Sequence, residues 1–467
     1  MFMRDLMNHG GRYWAYIGFH ALMGVLLKVA PSMVGIYFLL FIVFAVFNVF
    51  MTADRDDRAA AYALYVIGFE ILYRMSGFIV FYELGKYGAI MILLMGTIMG
   101  KRSFRAPVFI LLLLLLIPAI FLTHSSDSER IREMVLFNLS GPLTLVFSGF
   151  YFYNKPMTKA AILGILRFAF LPAFAMIIGL SLRAGLDTLH FTSVQSNPEA
   201  SGGFAANQVS TILGWFILIP VFFALQGVKL TPWRVLDYVM IVFLFLRGLL
   251  TFSRGGILSM LAALSLGFIY LYFRSYDFRL QIRRIGSYVL LGVGLLVITA
   301  FWANSLTNNY LLFRYQGKST SEVLTGIERQ DKSYLSGREY IMLGDLKAFI
   351  QYPILGTGYG MAMEFHKREF GHAAAAHTEY SRLLAEQGVL GLLFILLAYV
   401  YLPIYFFRQR RFTMQRTFFL VFFLVSFFTM FHAAMRLAMP GIVMGFSFFL
   451  MVPTSRSFVQ PKNDKQR

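Results

Sequence analysis

The residue types best suited to chemistry fall in one polar run of this 467-residue chain, positions 377–391, where a stretch of helical character leads straight into an apolar segment. That neighbour places His377 close to a membrane surface. A histidine titrates near neutral pH and can take the proton of an attacking sugar hydroxyl. At helical spacing Arg382 and Glu386 share one face and can pair, while His377 and Ser381 share another. The histidine is then left to meet substrate, with Tyr380 and Arg382 as further substrate contacts. A solvated surface histidine is the plainer account of the same residue. Upstream stands Arg338, whose guanidinium suits the bidentate grip of diphosphate oxygens and the charge that builds on a phosphate leaving group. After it comes a Pro- and Gly-rich run at 352–360, read as a turn that brings backbone amides close to a ligand. Its alternating glycines say little for a nucleotide, since no apolar strand leads into them.

Other candidates lie outside this stretch. Ser253, Arg254, Gly255 and Gly256 join two apolar runs, so Arg254 is a charge at the membrane boundary, either functional or an interfacial arginine that snorkels; Ser253 is grouped with it as a substrate contact. Asn207 and Gln208 open another span and can bond a sugar, although an ordinary helix cap accounts for Asn207 as well. His432 and Arg436 occupy a late polar turn that can line the same cavity. Glu70 and Arg74, one helical turn apart, are expected to neutralise one another. His366, His372 and His377 match no metal-ligand spacing, so no metal is predicted. Asp54 and Asp56 form a D-x-D pair of a kind that can hold a divalent cation, but the topology sets them on the opposite side, where they read with Asp57 as a solvated turn.

The elements that must position these residues are membrane helices. The chain is 58% hydrophobic and 14% charged, with a mean hydropathy of +0.66, a balance ill suited to a polar-surfaced globule. The net charge of +19 sits in short clusters between apolar runs rather than along one face, which argues for positive-inside anchoring and against nucleic acid. With no cysteine, neither a disulfide framework nor a thiolate metal site is possible. Apolar runs of spanning length begin at 16–27 and recur to 437–452, giving an all-α integral membrane bundle of about 12–14 transmembrane helices. The basic connectors at 101–105, 274–284 and 408–411 and the tail from 456 are placed in the cytoplasm, which puts 303–388 outside. The expected organisation is therefore 1–302 as helices with short loops, 303–388 as a large, mostly helical periplasmic loop, 389–452 as C-terminal helices and 453–467 as a cytoplasmic tail. That outer loop is far longer than an ordinary connection.

Four motifs together resemble the O-antigen ligase and polymerase superfamily of bacterial membrane proteins: Ser253 to Gly256 between two spans, Ser336-Gly337-Arg338, the turn at 353–360, and the run at 377–391. The resemblance covers the second half of the chain, from about Gly202, and the first half only by hydropathy. It implies transfer of a glycan from an undecaprenyl-diphosphate carrier, with inversion, to a sugar hydroxyl of lipid A-core, at the periplasmic face of the inner membrane and without metal or cofactor. Arg254 and Arg338 would bind the diphosphate and His377 would orient or deprotonate the acceptor hydroxyl. A polymerase of the same superfamily, which extends a glycan chain, fits the same residues; a branch that glycosylates protein hydroxyls ranks behind both. A lipid-linked oligosaccharide flippase is the alternative of a different class, but the long outer loop speaks against it.

Overall fold

The computed structural model describes residues 10–100, 107–125, 127–327, 338–371, 373 and 376–452. Among these, six helices are long and apolar enough to cross a membrane: Pro31–Thr52, Ser128–Phe152, Lys159–Arg183, Ala206–Leu225, Arg254–Arg274 and Glu379–Gln409. Each reaches or nearly reaches the 30 Å of a bilayer's hydrocarbon core at about 1.5 Å per residue. Shorter apolar helices stand beside them, among them Leu84–Met99, Pro107–Leu122, Thr413–Thr429 and Ala438–Ser447. Large apolar side chains such as Phe121, Leu290 and Phe301 lie open on the outside, as a surface solvated by lipid allows. The chain is an all-α, multi-pass membrane protein. The basic connector at 101–105, Ser336, Gly337, His372 and the tail lie outside the described residues.

Several expected boundaries move because helix starts are set by capping side chains rather than by hydropathy. The helix expected at 134–152 begins at Ser128, where the Asp127 carboxylate accepts the Glu129 N–H. The basic segment expected as a connector at 274–284 is mostly helix, since Ser275 caps a 31-residue helix, Tyr276–Leu306, that carries the apolar run as its second half. The long segment after it contains Tyr310–Tyr315, Thr320–Thr325, Arg338–Gln351 and Met361–Phe370, mostly helical as expected.

The helix Glu379–Ile395 starts outside the apolar run, passes through it, and breaks its geometry once, at Gly388 (φ 60°, ψ −138°). Into this kink docks the turn at 353–360. Val389 N–H donates to the Pro353 carbonyl at 2.7 Å, and the amides of Thr357 and Gly358 donate to the Ala385 and Glu386 carbonyls, each at 2.9 Å. Gly360 N–H donates to Glu386 Oε1 at 2.8 Å. The Pro/Gly run is therefore a turn, but its amides serve the neighbouring helix, and the expectation that they face a ligand is corrected.

Candidate active site

The turn from Met430 to Ala438, between two apolar helices, carries His432 and Arg436, and two buried ion networks hold it from opposite sides. In the first, Arg382 pairs with Glu386 (2.7 Å) and with Glu379, and Glu379 Oε2 accepts the Met435 N–H at 3.1 Å. In the second, Arg74 pairs with Glu70 at 2.7 Å and Lys86 with Glu83 at 2.5 Å. Arg74 Nη1 donates to the Arg436 carbonyl at 3.1 Å, Lys86 Nζ to the Met435 carbonyl at 3.2 Å, and Ala438 N–H to Glu70 Oε2 at 2.8 Å. Charges this deeply buried persist only when paired and hydrogen-bonded, and here the backbone of one turn supplies the remaining partners.

That turn sets one wall of a cationic cluster. Arg436 Nη2 donates to the Ala376 carbonyl at 2.9 Å, which fastens the residue before His377. Thr378 caps the helix by accepting the Ser381 N–H, so His377 lies just outside it. The His377 imidazole has its pKa lowered to about 4, by burial first and then by the guanidinium groups of Arg436 and Arg338. Its Nδ1 is buried and finds no hydrogen-bond partner among the described residues. The ring is therefore neutral near pH 7 and able to accept a proton. Arg338 is itself depressed by burial and then by Arg254 and Arg436. Arg314 is pushed down to about 10 by burial, then by Arg254 and Arg338. Arg254 Nη1 donates to the Arg314 carbonyl at 3.0 Å, and Arg314 Nε to the Phe252 carbonyl at 3.2 Å. Arg338 and Arg436 thus stand beside one neutral histidine, and Arg254 and Arg314 extend the cluster from Arg338, an arrangement suited to an anion with several oxygens.

The Arg254 helix reaches this position because two small residues follow the arginine. A Cβ on Gly255 would come within 2.2 Å of the His432 ring, and one on Gly256 within 2.3 Å of the Ser210 backbone. Close approach of helices through glycine is the membrane protein's means of packing without bulk.

Residues 238–396 match the family model described as O-Antigen ligase. That match, over about a third of the chain, supports membership of the O-antigen ligase superfamily. No curated protein matches it. The O-antigen ligase match spans Arg254, Arg314, Arg338 and His377, and stops short of His432 and Arg436. The match supports a glycosyltransferase-like function of ligase or polymerase type, and the family implies a lipid-linked glycan substrate.

Within this O-antigen ligase relative, several residues expected at the substrate also make bonds within the fold. Arg382 is locked between Glu379 and Glu386. Tyr380 packs among Tyr399, Phe427 and Phe431, and its hydroxyl donates to the Phe427 carbonyl at 2.9 Å. His432 is buried, its Nε2 3.2 Å from Thr211 Oγ1 and its Nδ1 3.4 Å from Ser259 Oγ. Burial and then Arg338 hold its pKa near 3, so it is a neutral tie between helices. Gln208 Oε1 accepts from Arg74 at 2.9 Å, and Asn207 Oδ1 accepts the Gln208 N–H at 3.0 Å, which is helix-start service rather than contact with the cluster. Ser253 is buried at the start of the Arg254 helix, and its carbonyl accepts from Ser210 Oγ at 2.7 Å. Ser381 does not share a face with His377; its hydroxyl donates to Asp345 Oδ2 at 2.6 Å.

The D-x-D turn is also corrected. Asp54 is buried, 3.0 Å from Lys155 Nζ and 2.8 Å from the Tyr151 hydroxyl, and Lys155 reaches Asp57 at 2.8 Å. Among the described residues no group of three or more histidines and carboxylates is arranged to hold a metal ion. Sequence reasoning missed Arg314, an isolated arginine in a short helix with no motif around it, and the Glu83–Lys86 pair, which a helical spacing count could have found.

Proposed function

We propose that the chain transfers a glycan from a polyprenyl-diphosphate carrier to a sugar hydroxyl on the outer face of the bacterial inner membrane, as an O-antigen ligase with lipid A-core as acceptor. The observation that carries this reading is the neutral His377 imidazole set beside Arg338 and Arg436 in a cluster that includes Arg254 and Arg314. The acceptor hydroxyl oxygen attacks the anomeric carbon, the bond from that carbon to the diphosphate oxygen breaks, and the configuration inverts. His377 receives the hydroxyl proton, and the electron pair of the broken bond leaves with the diphosphate, whose charge the guanidinium groups offset. No step is assigned to a metal or a cofactor. The basic clusters that surround the apolar runs favour an outward-facing 303–388 segment.

A polymerase uses the same donor chemistry with a lipid-linked repeat as acceptor, so one experiment separates the two. In a strain lacking this gene, the wild-type chain is compared with Arg254→Ala, Arg338→Ala and His377→Ala at matched expression. A ligase defect accumulates long lipid-linked chains with bare lipid A-core; a polymerase defect accumulates single lipid-linked repeats. Full transfer by all three variants overturns the site.

A further inference from the structure

Beside the cationic cluster lies a second space that it does not use. A cavity of about 650 Å³ is lined by Phe81, Tyr82, Glu83, Phe137, Asn138 and Arg436, with further carboxylates of the Ser128–Phe152 helix in its wall. Arg254, Arg314, Arg338 and His377 are not part of it. Arg436 is the link: its side chain lines the cavity and also holds the Ala376 carbonyl, one residue from His377.

The lining has its own chemistry. The Tyr82 and Phe137 rings stand 6.3 Å apart, with Arg74 4.4 Å from the Tyr82 ring centre and Lys86 5.3 Å from that of Phe137, so a buried cation backs each of these partly exposed rings. Glu83 is 2% exposed, and its Oε2 is taken by Lys86 at 2.5 Å. Its Oε1 is buried and has no hydrogen-bond partner among the described residues. A buried carboxylate oxygen left unpaired is costly, and the Glu83 side chain lines the cavity, so a turn of this shielded carboxylate toward the space gives Oε1 a donor that arrives with a ligand. Carboxylate oxygens only accept, so the ligand brings O–H or N–H groups. The wall carries five carboxylates against three arginines, Arg132, Arg382 and Arg436, a net negative balance that disfavours a diphosphate, and the burial of charge against an alkyl chain is unfavourable. Two open aromatic faces together with a hydroxyl acceptor suit a sugar ring, which offers C–H on its faces and O–H at its rim.

We propose that this cavity binds the saccharide of the acceptor, with Glu83 Oε1 accepting one of its hydroxyls and Tyr82 and Phe137 packing on its ring, so that the acceptor meets His377 across Arg436. This rests on the transferase reading above and adds the place and chemistry of the second substrate.

The test uses the full chain in nanodiscs, with the lipid-linked glycan extracted from the producing strain as donor and the glycolipid of the same strain as acceptor. Glu83→Gln and Phe137→Ala are expected to raise the acceptor KM about tenfold, the loss of one hydrogen bond to a charged group or of one packed ring, with the donor KM unchanged. A rise in donor KM instead, or no change in either constant, overturns the assignment. Because Glu83 also holds Lys86, a second measurement does not depend on turnover. Phe137→p-benzoylphenylalanine is irradiated in intact cells, with the same replacement at the outward-facing Phe121 as control. An adduct bearing the acceptor saccharide at position 137 and not at 121 supports the proposal; an adduct of lipid chains alone, or none, overturns it. If the wild type transfers glycan and no saccharide is captured, the cavity assignment fails and the reaction stands. If saccharide is captured and the wild type transfers nothing, the reaction fails and the cavity stands.

Discussion

Arg254 and Arg314 brace one another through the backbone: Arg254 Nη1 donates to the Arg314 carbonyl at 3.0 Å, and Arg314 Nε returns a bond to the Phe252 carbonyl at 3.2 Å. Two like charges are thus held close by bonds to each other's chain, an arrangement that raises local positive potential and prepares an anion site. Arg314→Ala is expected to remove a charge and to loosen Arg254. Transfer should fall by roughly 10–100-fold in kcat/KM, the worth of one or two hydrogen bonds to a charged group. Arg314→Ala combined with Arg254→Ala should cost clearly less than the product of the single losses. Steady-state kinetics of the three variants checks this, and multiplicative losses would show the two to be independent.

The lowered His377 pKa makes a prediction about pH. Burial and two arginines disfavour the imidazolium, so the ring stays neutral well below the ordinary histidine value. As pH falls through 6.5 a typical histidine base would be lost, but here kcat/KM should stay level there and drop only as pH approaches about 4. Arg436→Gln removes one of the depressing charges and should move that acid limb upward. The pH profile of kcat/KM for wild type and variant reports the free-enzyme value directly.

Arg382 lines the cavity assigned to the acceptor and is also locked in a buried ion network, so its loss tests stability first. Arg382→Ala leaves Glu379 and Glu386 buried without their shared cation, a loss of about 3–5 kcal/mol by analogy with other broken buried pairs. A thermal melt in detergent should show a strongly lowered midpoint. A normal melt with reduced transfer would return Arg382 to the substrate.

Two glycines with nearly equal φ separate strain from crowding. Gly356 (φ 74°) has the Gln387 amide nitrogen 2.3 Å from where a Cβ would sit, whereas Gly371 (φ 77°) has nothing within 4 Å. Gly371→Ala should cost only the left-handed backbone penalty of about 1–2 kcal/mol. Gly356→Ala adds a backbone collision that pushes the turn out of the Gly388 kink, and should lower both the melting midpoint and transfer well beyond Gly371→Ala.

Hydropathy made the membrane fold legible, because a span must be apolar over a length that lipid dictates. Arg254, Arg338, His377 and Arg436 were legible too, since charges and a histidine at the border of apolar runs are costly to keep without a use. What could not be read was partnership. Arg382, Tyr380, His432 and Gln208 have the same residue types as a substrate contact, and only the fold shows that Glu379, Phe427, Thr211 and Arg74 occupy them. Arg314 stayed hidden for the converse reason, as its neighbours in sequence carry no motif and its neighbours in space come from other parts of the chain. Helix starts moved by several residues wherever one polar side chain, such as Asp127 or Ser275, took an early amide.

The turn that carries Arg436 imposes an order on how the protein is made. Chains are synthesised and handed to the membrane from the N-terminus, so the helices that bear Glu70, Arg74 and Lys86 are inserted long before the residues at 435–438 exist. Until then Glu70 has no Ala438 amide, and Arg74 and Lys86 have no carbonyls at Arg436 and Met435. The parallel pairing of Pro156–Thr158 with Leu450–Val452 waits just as long. The step that satisfies the early charges is therefore the same step that delivers Arg436 to the residue before His377. A nascent chain therefore cannot hold the finished cationic cluster inside an unfinished bundle.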